Sequence, residues 1–150
     1  MRVVVQRVSE ASVTIEGTVK GKIGMGFVVL IGIHAEDGEE DMQWLLRKIS
    51  GLRVFSDNEG KMNLSIQHVE GELLLISQFT LYASTKKGNR PSYINAAPPQ
   101  VAIPLYEKFI LKAEKLFPEK IQTGSFGADM KIALVNDGPV TIIIDSKNRE

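Results

Sequence analysis

Polar side chains stand at the end of the most apolar run of the chain. Leu73-Leu74-Leu75-Ile76 leads directly into Ser77-Gln78-Phe79-Thr80-Leu81. On an extended strand, Leu73, Leu75, Ser77 and Phe79 share one face, and Leu74, Ile76, Gln78 and Thr80 share the other. Both faces are apolar before the hydroxyl and amide groups begin. Such groups either bond neighbouring backbone, which is the commoner outcome, or face a cleft. In a cleft, Ser77 and Thr80 would present hydroxyls and Gln78 an amide. Asn136-Asp137-Gly138-Pro139-Val140-Thr141 is a second candidate. Its composition suits a hairpin loop, and its Gly-Pro bond is a candidate cis peptide. A third is Lys86-Lys87-Gly88-Asn89-Arg90-Pro91-Ser92, where three cations surround a glycine. That run suits either a solvated loop or a phosphate grip. Arg7 shares a strand face with Val3 and Val5, so it either snorkels to the surface or braces a loop.

Other chemistries find less support. The chain has no cysteine, which excludes disulfides, thiolate nucleophiles and Cys-based zinc sites. His34 and His68 do not stand in metal-ligand spacing, so no metal and no cofactor are expected. A Ser-His-Asp triad is not visible in the order of residues, although triads assemble in space. Net charge is zero, which argues against a basic coat for nucleic acid; any RNA contact would come from a local patch or from recognition of one end of the RNA, and no DNA partner is expected. No apolar window reaches membrane length and no leader precedes Val3, so a cytoplasmic location away from membranes is expected.

The elements that position these residues can be read from periodicity. With 150 residues, one domain spanning 1–150 is expected. Arg2 to Val8 alternates as a strand, and Ala11–Ile15 with Thr18–Ile23 reads as a hairpin about Glu16-Gly17. Phe27–Ile33 is apolar on both faces, as in a buried strand. Acids from Asp37 to Asp41 open a helix carrying Met42, Leu45, Leu46, Ile49 and Leu52. Leu52–Phe55 is a short strand before the turn Asp57-Asn58-Glu59-Gly60. Glu72–Leu81 is a strand. Pro98-Pro99 opens a second helix with the stripe Leu105, Phe109, Ala113, Leu116, and Pro118 ends it; Pro104 interrupts its first turns and leaves its exact start open. Lys108, Lys112 and Lys115 form its solvated face. Lys131–Val135 and Val140–Asp145 read as a closing hairpin. The sum is an α+β domain: a compact, β-barrel-like, mostly antiparallel sheet with two packed helices.

Six segments, in order, resemble the D-aminoacyl-tRNA deacylase family: Met1–Val8, Gly60–Leu64, Ser77–Tyr82, Gly88–Ser92, Phe126–Met130 and Asn136–Thr141. Tyr93 stands where the family more often has Phe. The resemblance implies a homodimer that hydrolyses the ester between a D-amino acid and the terminal adenosine of a transfer RNA. It implies that Ser77, Gln78, Phe79 and Thr80 line the catalytic pocket. Gly138-Pro139 would be a cis peptide inserted from one subunit into the other's pocket, with Arg7 supporting it and Met130 beside the substrate. Selection would then work by exclusion of L side chains, so a glycyl ester would not be rejected. Lys86, Lys87 and Arg90 would meet RNA phosphates. An aminoacyl ester is already activated, so positioning and aimed donors can supply most of the acceleration. Thr80 could act as nucleophile or base, or the RNA's own 2′-hydroxyl could activate water; the second is preferred, because no base stands beside Thr80. Two rivals differ in class: an esterase using Ser77 with a distant histidine, and a non-catalytic dimeric RNA-binding module.

Overall fold

A computed structural model describes all 150 residues. Strand β1 (Arg2–Ile15) is the spine of the sheet. It turns at Glu16-Gly17, both at positive φ as a tight hairpin requires, into β2 (Thr18–Ile23). β3 (Gly26–Gly32) pairs antiparallel with the first half of β1, next to β2 on the second half. Helix α1 (Glu39–Gly51), the small hairpin β4 (Arg53–Ser56)–β5 (Met62–Ser65) and then β6 (Glu72–Ser77) follow. Because α1 and that hairpin form a crossover, β6 returns parallel to β3. Helix α2 (Pro99–Leu116) makes the next crossover, to the short parallel strand β7 (Ile121–Thr123). β8 (Lys131–Asp145) closes the chain, antiparallel along the free side of β1. The sheet curls until Lys20 on β2 donates to the Thr123 carbonyl on β7 at 3.3 Å, a nearly closed barrel. No helix is long and apolar enough to cross a membrane.

The sheet is buried on both faces, and each face has its own core. Val3, Val5, Phe27, Val29, Leu73 and Leu75 point toward the helices and meet Leu45, Ile49 and Phe109. Val8, Val13, Ile23, Val28, Leu74 and Ile76 point into the curl of the sheet. Strict alternation places neighbours on opposite faces, so β3 and β6 read as unbroken apolar runs.

Three expectations are corrected. β6 ends at Ser77, and Phe79–Tyr82 is a turn of 3-10 helix rather than more strand. Lys131–Val135 and Val140–Asp145 do not pair with each other. They are the two ends of one strand, each paired with β1, with residues 137–140 extruded between Asn136, opposite Val8, and Thr141, opposite Gln6. The partner of each half was already in the chain, and a hairpin signature cannot reveal that. The buried stripe of α2 is Ala102, Tyr106, Phe109 and Ala113, while Leu116 is exposed. The helix presents its small and aromatic face to the sheet, one step round from the aliphatic one. Pro104 lies inside the helix.

The start of α1 is tied to the C-terminal tail. Asp41 is buried, accepts from the Gly38 N–H at 3.0 Å and pairs with Lys147 at 2.9 Å. Burial works against its ionisation, but Lys147, the Gly38 N–H and Ser146 outweigh it and hold the carboxyl down at about 2. A carboxyl depressed below its unfolded value adds stability above that unfolded value, and the gain is lost as pH falls toward the folded one. Asp41→Asn is therefore expected to cost about 2 kcal/mol at pH 7 and much less at pH 2. Urea unfolding at both pH values checks this; an equal gap at both would refute it.

Candidate active site

The 3-10 turn is set against the end of β3. The Gln78 N–H donates to the Ile31 carbonyl at 2.7 Å, extending the β3–β6 ladder by one bond past the strand. Gly32 makes room for it. A methyl there would stand 2.9 Å from Leu81 Cβ and 3.2 Å from the Gln78 carbonyl oxygen. Arg2 ties down the far end: its Nη1 donates to the Leu81 carbonyl at 2.8 Å, its Nε donates to Asp145 at 3.0 Å, and its guanidinium covers the Tyr82 ring. Within the turn the Leu81 and Ala83 N–H groups donate to the Gln78 and Thr80 carbonyls. The N–H groups of Phe79 and Thr80, which begin the turn, have no backbone acceptor.

Ser77, Gln78 and Phe79 form the polar wall of a pocket of about 240 Å³. Its apolar walls include Ile31, Ala97, Ala102, Phe126 and Met130. Tyr106 lies behind Phe126, with ring centroids 5.9 Å apart, and donates to the Leu75 carbonyl at 3.1 Å. Burial pushes its phenol up to about 12, so it stays protonated at neutral pH. Asp129 also borders the pocket, but its side chain is 85% exposed and pairs with Lys131 at 2.8 Å. Thr80 is joined to this wall through Gln78, whose Nε2 donates to Thr80 Oγ1. Its side chain borders an adjoining concavity with Leu81, Ile143 and Asp145.

The other expected residues lie elsewhere on the chain. Gly138 and Pro139 are exposed at the extruded part of β8, joined by a cis peptide bond, and do not line the pocket of their own chain. Arg7 lies beneath them. Its Nε donates to the Asp137 carbonyl at 3.0 Å and its Nη1 to the Val54 carbonyl. Lys86, Lys87 and Arg90 are exposed on a loop closed by a backbone pair between Ser84 and Ser92. Neither histidine reaches Ser77. His34 accepts from the Glu36 N–H and stacks on Tyr82, while His68 bonds Ser65. Of the apolar walls, Met130 was expected, whereas Ile31, Ala97, Ala102 and Phe126 were not singled out as site residues. Phe126 was visible only within its motif, and Ala97 and Ala102 carry no signal.

Fold and pocket define a barrel-like α+β protein with a small cleft at the end of a parallel strand pair. A family model described as D-Tyr-tRNA(Tyr) deacylase matches residues 4–145. The chain is 59% identical, across all 150 residues and the full length of each relative, to the D-aminoacyl-tRNA deacylases of Bacteroides thetaiotaomicron and Flavobacterium johnsoniae. A solved structure described as c-Myc DNA unwinding element binding protein superposes with a TM-score of 0.92 at 43% identity, over 97% of this chain and 98% of that one. A probable eukaryotic D-amino acid tRNA deacylase has a TM-score of 0.81 at 16% identity, over 95% and 97%, a likeness of fold. The chain belongs to the D-Tyr-tRNA(Tyr) deacylase family and is an enzyme, a hydrolase.

Proposed function

We propose that this enzyme hydrolyses the ester between a D-amino acid and the terminal adenosine of a transfer RNA, and that it does so as a homodimer. The observation that carries the reading is the pocket. Its volume of about 240 Å³ suits one nucleoside, its polar wall is Ser77-Gln78-Phe79, and two N–H groups without backbone acceptors begin the turn at that wall. Phe126 and Met130 offer the base a flat apolar seat. The Phe79 and Thr80 N–H groups hold the carbonyl oxygen as charge develops on it. The adjacent 2′-hydroxyl of the adenosine activates the attacking water. Ser77 and Gln78 position the ester, and Thr80 orients Gln78.

Chiral selection falls to Gly138-Pro139. The bulge is exposed and outside its own pocket, which supports its delivery to a second copy's pocket. β8 supports the dimer: it has one neighbour only, so its outer edge is unpaired, and Ile143 and Val135 are 70% and 50% exposed on it. Backbone carbonyls placed where an L side chain must go reject it without touching a D side chain. A glycyl ester, lacking the side chain, passes. Lys86, Lys87 and Arg90, unpaired on their loop, receive phosphates near the RNA end.

The test is hydrolysis of matched D- and L-tyrosyl-tRNA by the purified protein, repeated with a chelator and with His34→Ala and His68→Ala. Loss of the D-ester alone is expected, unaltered by chelator, with each histidine variant within a few-fold of the native rate. Abolition by either histidine change would favour the Ser77 esterase. Loss of neither ester would favour the non-catalytic module.

A further inference from the structure

Two aromatic rings pair at the pocket mouth, and the reaction just described uses only the backbone N–H of one of them, Phe79, and nothing of the other, Tyr93. Phe79 and Tyr93 meet edge to face, with centroids 5.0 Å apart and planes at 73°. Both are largely in solvent, at 55% and 41% exposure, and Ile94 beside them is 86% exposed. A lone exposed apolar side chain is ordinary, but adjoining exposed rings of this kind mark a contact site. The loop delivers Tyr93 to this place. It leaves the catalytic turn after Tyr82, is closed by reciprocal Ser84–Ser92 backbone bonds of 2.8 and 2.9 Å, and returns Tyr93 against Phe79.

Charge identifies the occupant. Residues 83–95 carry Lys86, Lys87 and Arg90 and no acid. None of the three cations has an ion-pair partner on the protein. Exposed rings flanked by free cations suit single-stranded nucleic acid, whose bases stack on aromatic faces while its phosphates meet Lys and Arg. A protein partner of ordinary apolar character would leave those cations unmatched. Phe79 belongs to both the pocket and the pair, so the two seats are contiguous.

We infer that Tyr93, braced by Phe79, is a stacking platform for the nucleotide that precedes the terminal adenosine, with Lys86, Lys87 and Arg90 on the adjoining phosphates. The inference rests on the deacylase reading and adds a second base seat to it. It makes the enzyme a reader of the single-stranded end of its RNA, not of the terminal nucleoside alone.

Three esters of one D-amino acid test it: on adenosine, on the cytidylyl-adenosine dinucleotide and on full tRNA. The native enzyme is expected to favour the dinucleotide over the nucleoside by about 5- to 150-fold in kcat/KM, carried by KM, as one stacked base implies. Tyr93→Ala should close that gap, and Tyr93→Phe should keep it. Sedimentation of each variant reports assembly, and circular dichroism reports folding. A native enzyme indifferent to the added nucleotide would overturn the inference. So would a Tyr93→Ala variant that loses equally on both esters, or one that falls to monomers, which would make the patch an interface between copies. Cleavage of none of the three by the native protein would sink the deacylase reading itself. That result is distinct from a nucleoside ester cleaved without preference.

Discussion

Gly138→Ala is expected to lower the preference for D- over L-tyrosyl-tRNA by at least about tenfold, since a shift worth 1.4 kcal/mol already changes a rate ratio by that factor. Gly138 has φ +125°, a conformation that side chains rarely adopt, and holding alanine there costs about 1–3 kcal/mol. The space is filled as well. The added methyl would stand 2.6 Å from Arg7 Nη2 and 3.0 Å from Val140 Cγ2. Arg7 cannot yield freely, because its guanidinium is only 12% exposed and donates to the Asp137 and Val54 carbonyls. The bulge must therefore give way, and with it the carbonyl directions on which exclusion depends. The melting temperature should fall by about 2–12 °C, the usual response of a domain this size to 1–3 kcal/mol. Both esters must be measured on the same preparation. Native discrimination in a folded Gly138→Ala protein would remove the gate from this loop.

That loop also marks the limit of what the sequence discloses. Asn136-Asp137-Gly138-Pro139 has the composition of a hairpin turn, and local composition is all that a single sequence offers there. What makes it a bulge is β1, which is long enough to pair with both flanking halves at once. The same holds at Ser77. Hydrophobic alternation carries the strand to its end, but the change to 3-10 helix is set by tertiary contacts: Gln78 bonding Ile31 and Arg2 bonding Leu81. By contrast, the double-faced burial of β3 was legible from periodicity, and Pro98-Pro99 pointed to the opening of α2, although Pro104 left its exact start open. In the pocket, polar residues announced themselves by being out of place in an apolar run. The walls did not, because Ala97, Ala102 and Phe126 look like any core residues until the chain folds around a space.

The largest effect is expected from a change in the substrate rather than the protein. A D-aminoacyl-tRNA ending in 2′-deoxyadenosine, with the amino acid on its 3′-oxygen, should be cleaved at least about 100-fold more slowly, the lower range for loss of a positioned general base. Each protein group near the pocket that could take the proton is otherwise engaged, including Asp145, which shares the concavity beside Thr80 but pairs with Arg2 at 2.9 Å. Both histidines are engaged away from Ser77. Tyr106 holds its proton far above neutral pH and spends it on the Leu75 carbonyl. Asp129 stands out in solvent at 85% exposure and is held by Lys131 at 2.8 Å. Thr80 Oγ1 accepts from Gln78 and has no basic partner to draw its own proton. The substrate's vicinal hydroxyl is the group left within reach of the ester carbon. On this account Thr80→Val costs about tenfold or less, through lost orientation of Gln78, because a positioning role commands less of the barrier than proton transfer does. Single-turnover rates for the two substrates and the one variant decide it. A deoxy substrate cleaved near the normal rate, together with a dead Thr80→Val enzyme, would return the chemistry to the threonine.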